Sequence, residues 1–374
     1  MSNMYPEVRD VSSLTGVLNL DQFMVIGIEG QKDTAGTAVV ATSYLVSDPV
    51  TSDTLFGPTS SLGKLVKFIL SLGINYVYAV ASASNTVPTL LQRQAAWQPL
   101  EENVDVRIRL SDSMVQADLA ALADSCEWAE GIQNKQFMLG GLVTPSTSAN
   151  LLAAAGAVAS KRGIIVGPGF YDSNGVLMQG NYAAAWAATI IAKNPDITDD
   201  LDTYSIPATT GLEKDANGMP LFRQRAGAGT PINDFATLLS GGVSPFRQGR
   251  DGTAEIVHLR MTYTTDTTYD ALMTLLIRDQ LFIDIRAAVL APDVKALRRG
   301  NTADTRALIS QIVDGVLRAR QTWVQPKVLP DGTTGYGVTV TASADKRNIT
   351  ISYVGEIVRN LQKIDVTGQL TIPA

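Results

Sequence analysis

Cysteine and histidine are almost missing from this 374-residue chain: Cys126 and His258 are the single example of each. One cysteine excludes an intrachain disulfide and fits a reducing compartment. One cysteine with one histidine excludes an ordinary structural zinc site. No uninterrupted apolar run reaches about 18 residues, so no membrane-spanning helix is expected. Residues 1–10 lack a basic region followed by an apolar block, so no signal peptide is expected. Internal repeats and low-complexity segments are also lacking. A basic surplus is missing too. Net charge is −6, with 16 basic and 24 acidic residues in 1–254 and 14 and 12 in 255–374. Counterion release needs a basic face, so the bulk surface is unsuited to nucleic acid. A modest basic patch in the C-terminal third remains open.

What is present is apolar, at 45 % of residues, enough for a substantial core in one large domain or two. Residues 1–20 read as an extended arm, with Val8, Val11, Leu14 and Val17 among its apolar positions. Phe23–Ile28 is a short buried strand, Gly30–Gly36 a polar loop and Thr37–Val46 a second strand. Leu55-Phe56-Gly57-Pro58 reads as a turn. Ser60 or Ser61 caps a helix from Leu62, whose Leu65, Phe68, Ile69 and Leu72 have helical spacing and which Gly73 ends. Strands at 76–80, 104–110, 136–143 and 163–166 then alternate with helices at 88–98, 114–130, 147–160 and 181–193. Such alternation predicts a mostly parallel sheet with helices on both faces.

The composition changes after Asp196. Asp199, Asp200 and Asp202 precede a glycine-rich stretch with Pro220 and Pro231, and a domain boundary is expected near residue 205. The expected division is an arm over 1–22, an α/β domain over 23–205 and a C-terminal domain over 206–374. In the last part a short helix spans 233–239, a strand 254–262 and a long helix 268–290. Asn301 is placed to cap a helix reaching Arg320, with Asp304 three residues on. Segments 337–344 and 348–354 alternate around Asp345-Lys346-Arg347 as a hairpin.

The chain ends on a strand pattern with no partner after it. Over 361–374, Ile364, Val366, Leu370 and Ile372 share one face, while Lys363, Asp365, Thr367, Gln369 and Thr371 share the other. An unpaired strand edge is a template for another chain, so this segment is expected to pair with a neighbouring subunit.

Catalytic patterns are sparse. Gly27-Ile28-Glu29-Gly30 follows a strand but is not a dinucleotide fingerprint, and Gly57–Lys64 has the wrong spacing for a phosphate loop and lacks its Ser or Thr. His258 falls in an alternating segment, and no G-x-S-x-G elbow accompanies it. Asp215-Ala216-Asn217-Gly218 lacks the distal Glu of a calcium loop and reads as a turn. The acidic stretch 196–202 reads as a solvated loop. Lys295, Arg298, Arg299, Arg306, Arg318 and Arg320 are the one basic concentration. They form either a solvated face or a docking face for an acidic protein. No cofactor is called for.

Val25-Ile26-Gly27, Leu55-Phe56-Gly57 before a helix, Gly73-Ile74-Asn75-Tyr76-Val77-Tyr78-Ala79-Val80, and Leu238-Leu239-Ser240-Gly241-Gly242-Val243-Ser244-Pro245 occur in an order that resembles contractile phage tail sheath proteins. One glycine of that family's pair is replaced by Leu72, and its usual arginine after the strand is absent. The resemblance implies an α+β sheath domain built from the N-terminal arm and 206–374, with the α/β part inserted as an outer, subtilisin-like but non-catalytic domain. It implies strand donation by Val8, Val11, Leu14, Val17, Ile364, Val366, Leu370 and Ile372 to neighbouring subunits. The six basic residues would face an inner tail tube. Partners would be further copies in a helical stack, the tube protein, and baseplate and tail terminator proteins. Neither nucleic acid nor membrane insertion is implied. Location would be the virion tail, assembled in the host cytoplasm. The competing reading is a cytosolic α/β enzyme with an unrecognised active site.

Overall fold

The computed structural model describes residues 23–132, 134–194, 196–197, 201, 209–214, 221, 226–227, 230–231, 234–249, 252–265, 271–291, 302–342 and 349–357. Both arms, at 1–22 and 361–374, lie outside these residues, as do Lys295, Arg298, Arg299 and the 215–218 turn.

From Ser61 to Gly167 helices and strands alternate. The elements are β1 (Val25–Lys32), β2 (Ser43–Val46), α1 (Pro49–Phe56), α2 (Ser61–Ser71), β3 (Val77–Ser84), α3 (Leu90–Glu101), β4 (Val106–Ser111), α4 (Gln116–Gly131), β5 (Phe137–Gly141), α5 (Ser148–Val158) and β6 (Gly163–Gly167). β7 (Phe170–Asp172) and β8 (Leu177–Met178) lead to α6 (Gly180–Lys193). Next come β9 (Thr209–Leu212), β10 (Ala226–Gly227), β11 (Thr230–Pro231), α7 (Asp234–Ser240), β12 (Val243–Gln248) and β13 (Ala254–Ile256).

Eight strands form one sheet in the order β13-β12-β6-β5-β4-β1-β3-β2. The six central strands are parallel; β2 and β13 run antiparallel at the two edges. Helices cover both faces, which is why β5 and β6 are buried along their whole length rather than alternating. Ile26, Ile28, Ile108 and Leu110 face a core shared with α2 and α6, around the buried Trp186. Leu119, Leu122, Leu151, Ile165 and Leu238 form a core on the opposite face with α4, α5 and α7. α6 lies against β5 so closely that a Cβ on Gly141 would come within 2.3 Å of the Gly180 carbonyl oxygen. Only glycine fits there.

A third, C-terminal core follows. It joins α8 (Leu272–Leu290), α9 (Ala303–Ala319), β14 (Val324–Gln325), β15 (Lys327–Val328), β16 (Thr334–Gly335), β17 (Thr339–Ala342), β18 (Ile349–Ser352) and β19 (Glu356–Ile357). α8 bridges two cores. Leu272, Leu275 and Leu276 pack into the sheet core around Trp186, while Met273, Ile277, Leu281, Ile285 and Val289 make an i, i+4 stripe in the C-terminal core. α9 answers with Ile309, Val313 and Leu317 at the same spacing. β17 and β18 pair antiparallel as the expected hairpin.

Several expectations need correction. The strand placed at 37–46 pairs only over Ser43–Val46. The following turn is preceded by a helix, α1, which Asp48 caps through Thr51 N and which Pro49 opens. Its Val50, Thr51 and Thr54 are weak helix formers and hid it from propensity. Gly57, at φ +86°, ends it in a conformation that favours glycine. The strand expected over 254–262 ends at Ile256, so His258 is not a ladder residue. Thr302, not Asn301, caps α9, its Oγ1 accepting from Thr305 N at 3.2 Å; Asn301 lies outside the described residues. Finally, β12 and β13 return from beyond residue 205 to extend the main sheet.

Candidate functional site

In an open parallel sheet, ligands settle beyond the carboxy ends of the strands where the strand order reverses. Here that place is the end of β1, between β3 and β4. Glu29 lies near the end of β1 with no exposed surface, on the face opposite Ile28. Ser111 ends β4, and Asp112 follows it. Arg93 and Trp97, one turn apart on α3, reach in from above.

Arg93 holds the cluster together. Its Nη1 donates to Glu29 Oε1 at 2.8 Å, Asp112 Oδ1 at 2.8 Å and Ser111 Oγ at 3.2 Å. Its Nε lies 3.1 Å from Asp118 Oδ2 on α4. Glu29 Oε2 accepts from Ser111 Oγ at 2.7 Å and Trp97 Nε1 at 3.3 Å. Asp112 Oδ2 accepts from Gln31 N at 2.7 Å and from the Ser61 hydroxyl. Ser113 Oγ donates to Asp118 at 2.6 Å. Burial, and then the charge of Asp112, push the Glu29 carboxyl above its ordinary range; Arg93 offsets part of this. Burial would lower Arg93, but Glu29 and Asp112 hold it above its usual value.

Every oxygen of Glu29 and Asp112 is engaged. The cluster ties α2, α3 and α4 to β1 and β4, and it occupies the crevice in which an α/β enzyme would hold a substrate. This is a polar plug rather than a general-acid pair. Sequence reasoning missed it, although one signal was legible: Glu29 is the sole charge in the otherwise apolar run Val25–Gly30.

A second buried charge cluster lies at the opposite, amino edge of the sheet. Arg162, just before β6, meets Asp279 of α8 in a two-pronged pair, with Nη2 2.8 Å from Oδ1. Its Nε donates to Glu130 Oε2 at 3.0 Å. Burial would raise Glu130, yet its bond to Arg162 holds it down at about 2. Lys135 joins Glu130 at 3.1 Å and covers the Phe282 ring at 4.2 Å. This cluster fastens the bridging helix to the sheet.

The other sequence candidates are scattered. Cys126 is fully buried in α4, and burial pushes its thiol up to about 11. Ser60 caps α2 by accepting from Gly63 N at 2.9 Å, so Gly57–Lys64 is a helix entry. Of the basic concentration, Arg318 pairs with Asp314 at 2.6 Å, and Arg320 pairs with Asp284 of α8 at 2.8 Å and stacks on Trp323. Arg306 is on α9 two turns or more from both. Among the described residues, no group of three or more His, Cys, Asp or Glu is placed to hold a metal ion, and no helix is long and apolar enough to cross a membrane.

No protein-family profile and no curated protein sequence matches this chain. Solved structures do. A chain of the anti-feeding prophage baseplate superposes with a TM-score of 0.64 at 12 % identity, covering 97 % of this chain and 100 % of that one. The chain has the fold of contractile tail sheath proteins. The sheath tail protein of Listeria innocua aligns with a TM-score of 0.66 at 10 % identity, over 90 % of this chain and 92 % of its own. A chain of the contracted PVC sheath complex, from an extracellular contractile injection system, aligns at 0.62 and 13 % identity over 99 % and 98 %. The sheath fold therefore accounts for the sheet, the C-terminal core and the bridging helix, not for the α/β part alone.

Proposed function

We propose that this protein is a structural subunit of a contractile sheath. It polymerises helically around an inner tube and contracts to drive that tube through a target envelope, without catalysis. The observation that carries this reading is whole-length likeness in fold to sheath chains from several contractile particles. The plugged switch point supports it against the enzyme reading.

Chain geometry supports the inserted outer domain. Phe23 N and Met24 N both donate to Ala192 O, at 2.7 and 3.2 Å. The start of β1 and the end of α6 thus lie side by side, and β12 and β13 rejoin the sheet only after the intervening segment. In this reading the arm over 1–22 and the C-terminal part form the sheath domain, with the α/β body outermost and of subtilisin-like topology. The two arms donate strands: Val8, Val11, Leu14 and Val17 from one end, Ile364, Val366, Leu370 and Ile372 from the other. Donated strands act as tethers, so subunits rotate between two packings without dissociating. Open heterologous contacts generate a helical tube. Lys295, Arg298, Arg299 and Arg306, with Arg318 and Arg320 released from their carboxylates, are assigned to the tube. Baseplate and terminator proteins close the two ends of a tail built in the host cytoplasm.

Electron microscopy of the purified chain tests this. Long tubes or stacked rings are expected. A monomer or small closed oligomer at high concentration refutes it.

A further inference from the structure

The plug holds more acid than base. Glu29 of β1, Asp112 after β4 and Asp118 of α4 all pair with Arg93 of α3. Their side chains expose only 0, 5 and 16 % of their surface, so solvent does little to offset the surplus. The cluster's other groups are neutral: Ser61 from α2, Ser82 from β3, Ser111 from β4 and Trp97 from α3. Arg109, two positions before Ser111 on β4, is within range of the Glu29 charge. Its Nη1, however, donates to Gln136 Oε1 at 3.0 Å, and its Nε and Nη2 have no partner. No group placed to hold a metal ion lies among the described residues. A buried carboxylate without a full share of a cation takes up a proton instead.

Two observations place that proton on Glu29. Asp112 receives a backbone N–H, from Gln31 at 2.7 Å, and Asp118 keeps some contact with solvent; Glu29 has neither. Ser82 Oγ, fully buried beside the Glu29 carboxyl, meets no partner at hydrogen-bonding geometry. A protonated carboxyl has an O–H to donate, and a hydroxyl oxygen accepts it. We propose that the plug is a proton lock: near neutral pH the Glu29 carboxyl holds a proton in the folded protein, and opening α3 away from the sheet releases it. Burial and the charge of Asp112, which push this carboxyl above its ordinary range, act in the same direction. A carboxyl raised on folding adds stability that is complete below its unfolded value, 4.5, and is lost as pH rises through its folded one. The O–H bond then breaks, the proton goes to water, and one guanidinium is left among three charged carboxylates. α3 carries both Arg93 and Trp97, so it is the element that loosens. The lock belongs to the single subunit and does not depend on the sheath reading.

Infrared difference spectroscopy of the full chain tests this. Wild type should show a protonated-carboxyl band at pH 7 that Glu29→Gln lacks and that titrates away in alkali. Ser82→Ala, which removes the acceptor, should lose the band at a lower pH. Hydrogen exchange supplies the second readout. Protection of α3, measured against α5, should fall about tenfold per pH unit above 4.5 until the band has gone, and then level off. No band in wild type at pH 7, a band that Glu29→Gln keeps, or a band that Ser82→Ala holds to higher pH overturns the proton on Glu29. Should Glu29→Gln not fold, the direction of the Ser82→Ala shift decides alone. Protection of α3 that stays constant while the band titrates overturns the lock.

Discussion

Replacing Arg93 by methionine keeps the length and apolar stem of the side chain but removes its charge. Three carboxylates then face one another without a cation. Glu29 and Asp112 each lose a 2.8 Å bond, and Asp118 loses its 3.1 Å ion pair. Arg93 and Glu29 are almost wholly shielded from solvent, with side-chain exposures of 4 % and 0 %. Removing one partner of such a buried pair costs about 3–5 kcal/mol. Against a typical total of roughly 5–15 kcal/mol, that is a large fraction. The cost has a sign in pH. The Glu29 carboxyl is already raised by burial and by Asp112. Without Arg93 it rises further, so the folded state binds a proton that the unfolded state has released. Stability of the variant therefore falls as pH climbs above the ordinary carboxyl value of 4.5, with a slope of up to about 1.4 kcal/mol per pH unit. Urea unfolding of wild type and Arg93→Met at pH 5 and pH 8 measures this. The difference between the two proteins should be larger at pH 8. A loss below about 1 kcal/mol, or one independent of pH, would refute the plug as a buried charge network centred on Arg93.

Three further outcomes follow from the same structure. Asp279→Ala leaves the buried Arg162 with Glu130 as its one carboxylate partner and should cost about 3 kcal/mol, whereas the double variant Arg162→Met/Asp279→Leu should recover much of that loss; additive single effects in urea unfolding would dismiss the pair as the fastening of α8. Cys126 should resist thiol reagents at pH 8 in the folded protein and react only as fast as the chain opens; rapid labelling under native conditions would contradict its burial. Deleting residues 362–374 should leave a folded, soluble monomer that no longer assembles, and tubes formed by the truncated chain on electron microscopy would remove this strand from the assembly mechanism.

Much of the architecture was legible because it rests on periodicity. The Val25–Ile28 run, the helical spacing of Leu65, Ile69 and their neighbours, and the alternation on either side of 345–347 each have a burial pattern that a linear reading detects. α1 escaped because Asp48 and Pro49 start it while β-branched residues fill it. The site was less legible. Glu29, Arg93, Asp112 and Asp118 are spread over 90 residues, and no spacing rule links a strand end to the inner face of a helix two elements later. The Arg162–Asp279 pair, 117 positions apart, is still further from any local signal. The basic concentration shows the converse. Six cations close in sequence look like a patch, but Arg318 is held by Asp314 one turn back on its own helix, and Arg320 by Asp284, which only the packing of α8 brings near.

By itself the sequence determined most of the element types, the exclusion of an intrachain disulfide and an ordinary zinc site by its single cysteine and histidine, and the absence of a recognisable catalytic motif, since each of these is local or compositional. Only the tertiary structure decided that β12 and β13 rejoin the first sheet, that α8 serves two cores, and that the crevice at the switch point is filled by the protein's own charges. The reason is physical. Burial of a charge and the pairing of distant strands depend on which groups the folded chain brings within a few ångströms, and that is a property of the packing rather than of any segment.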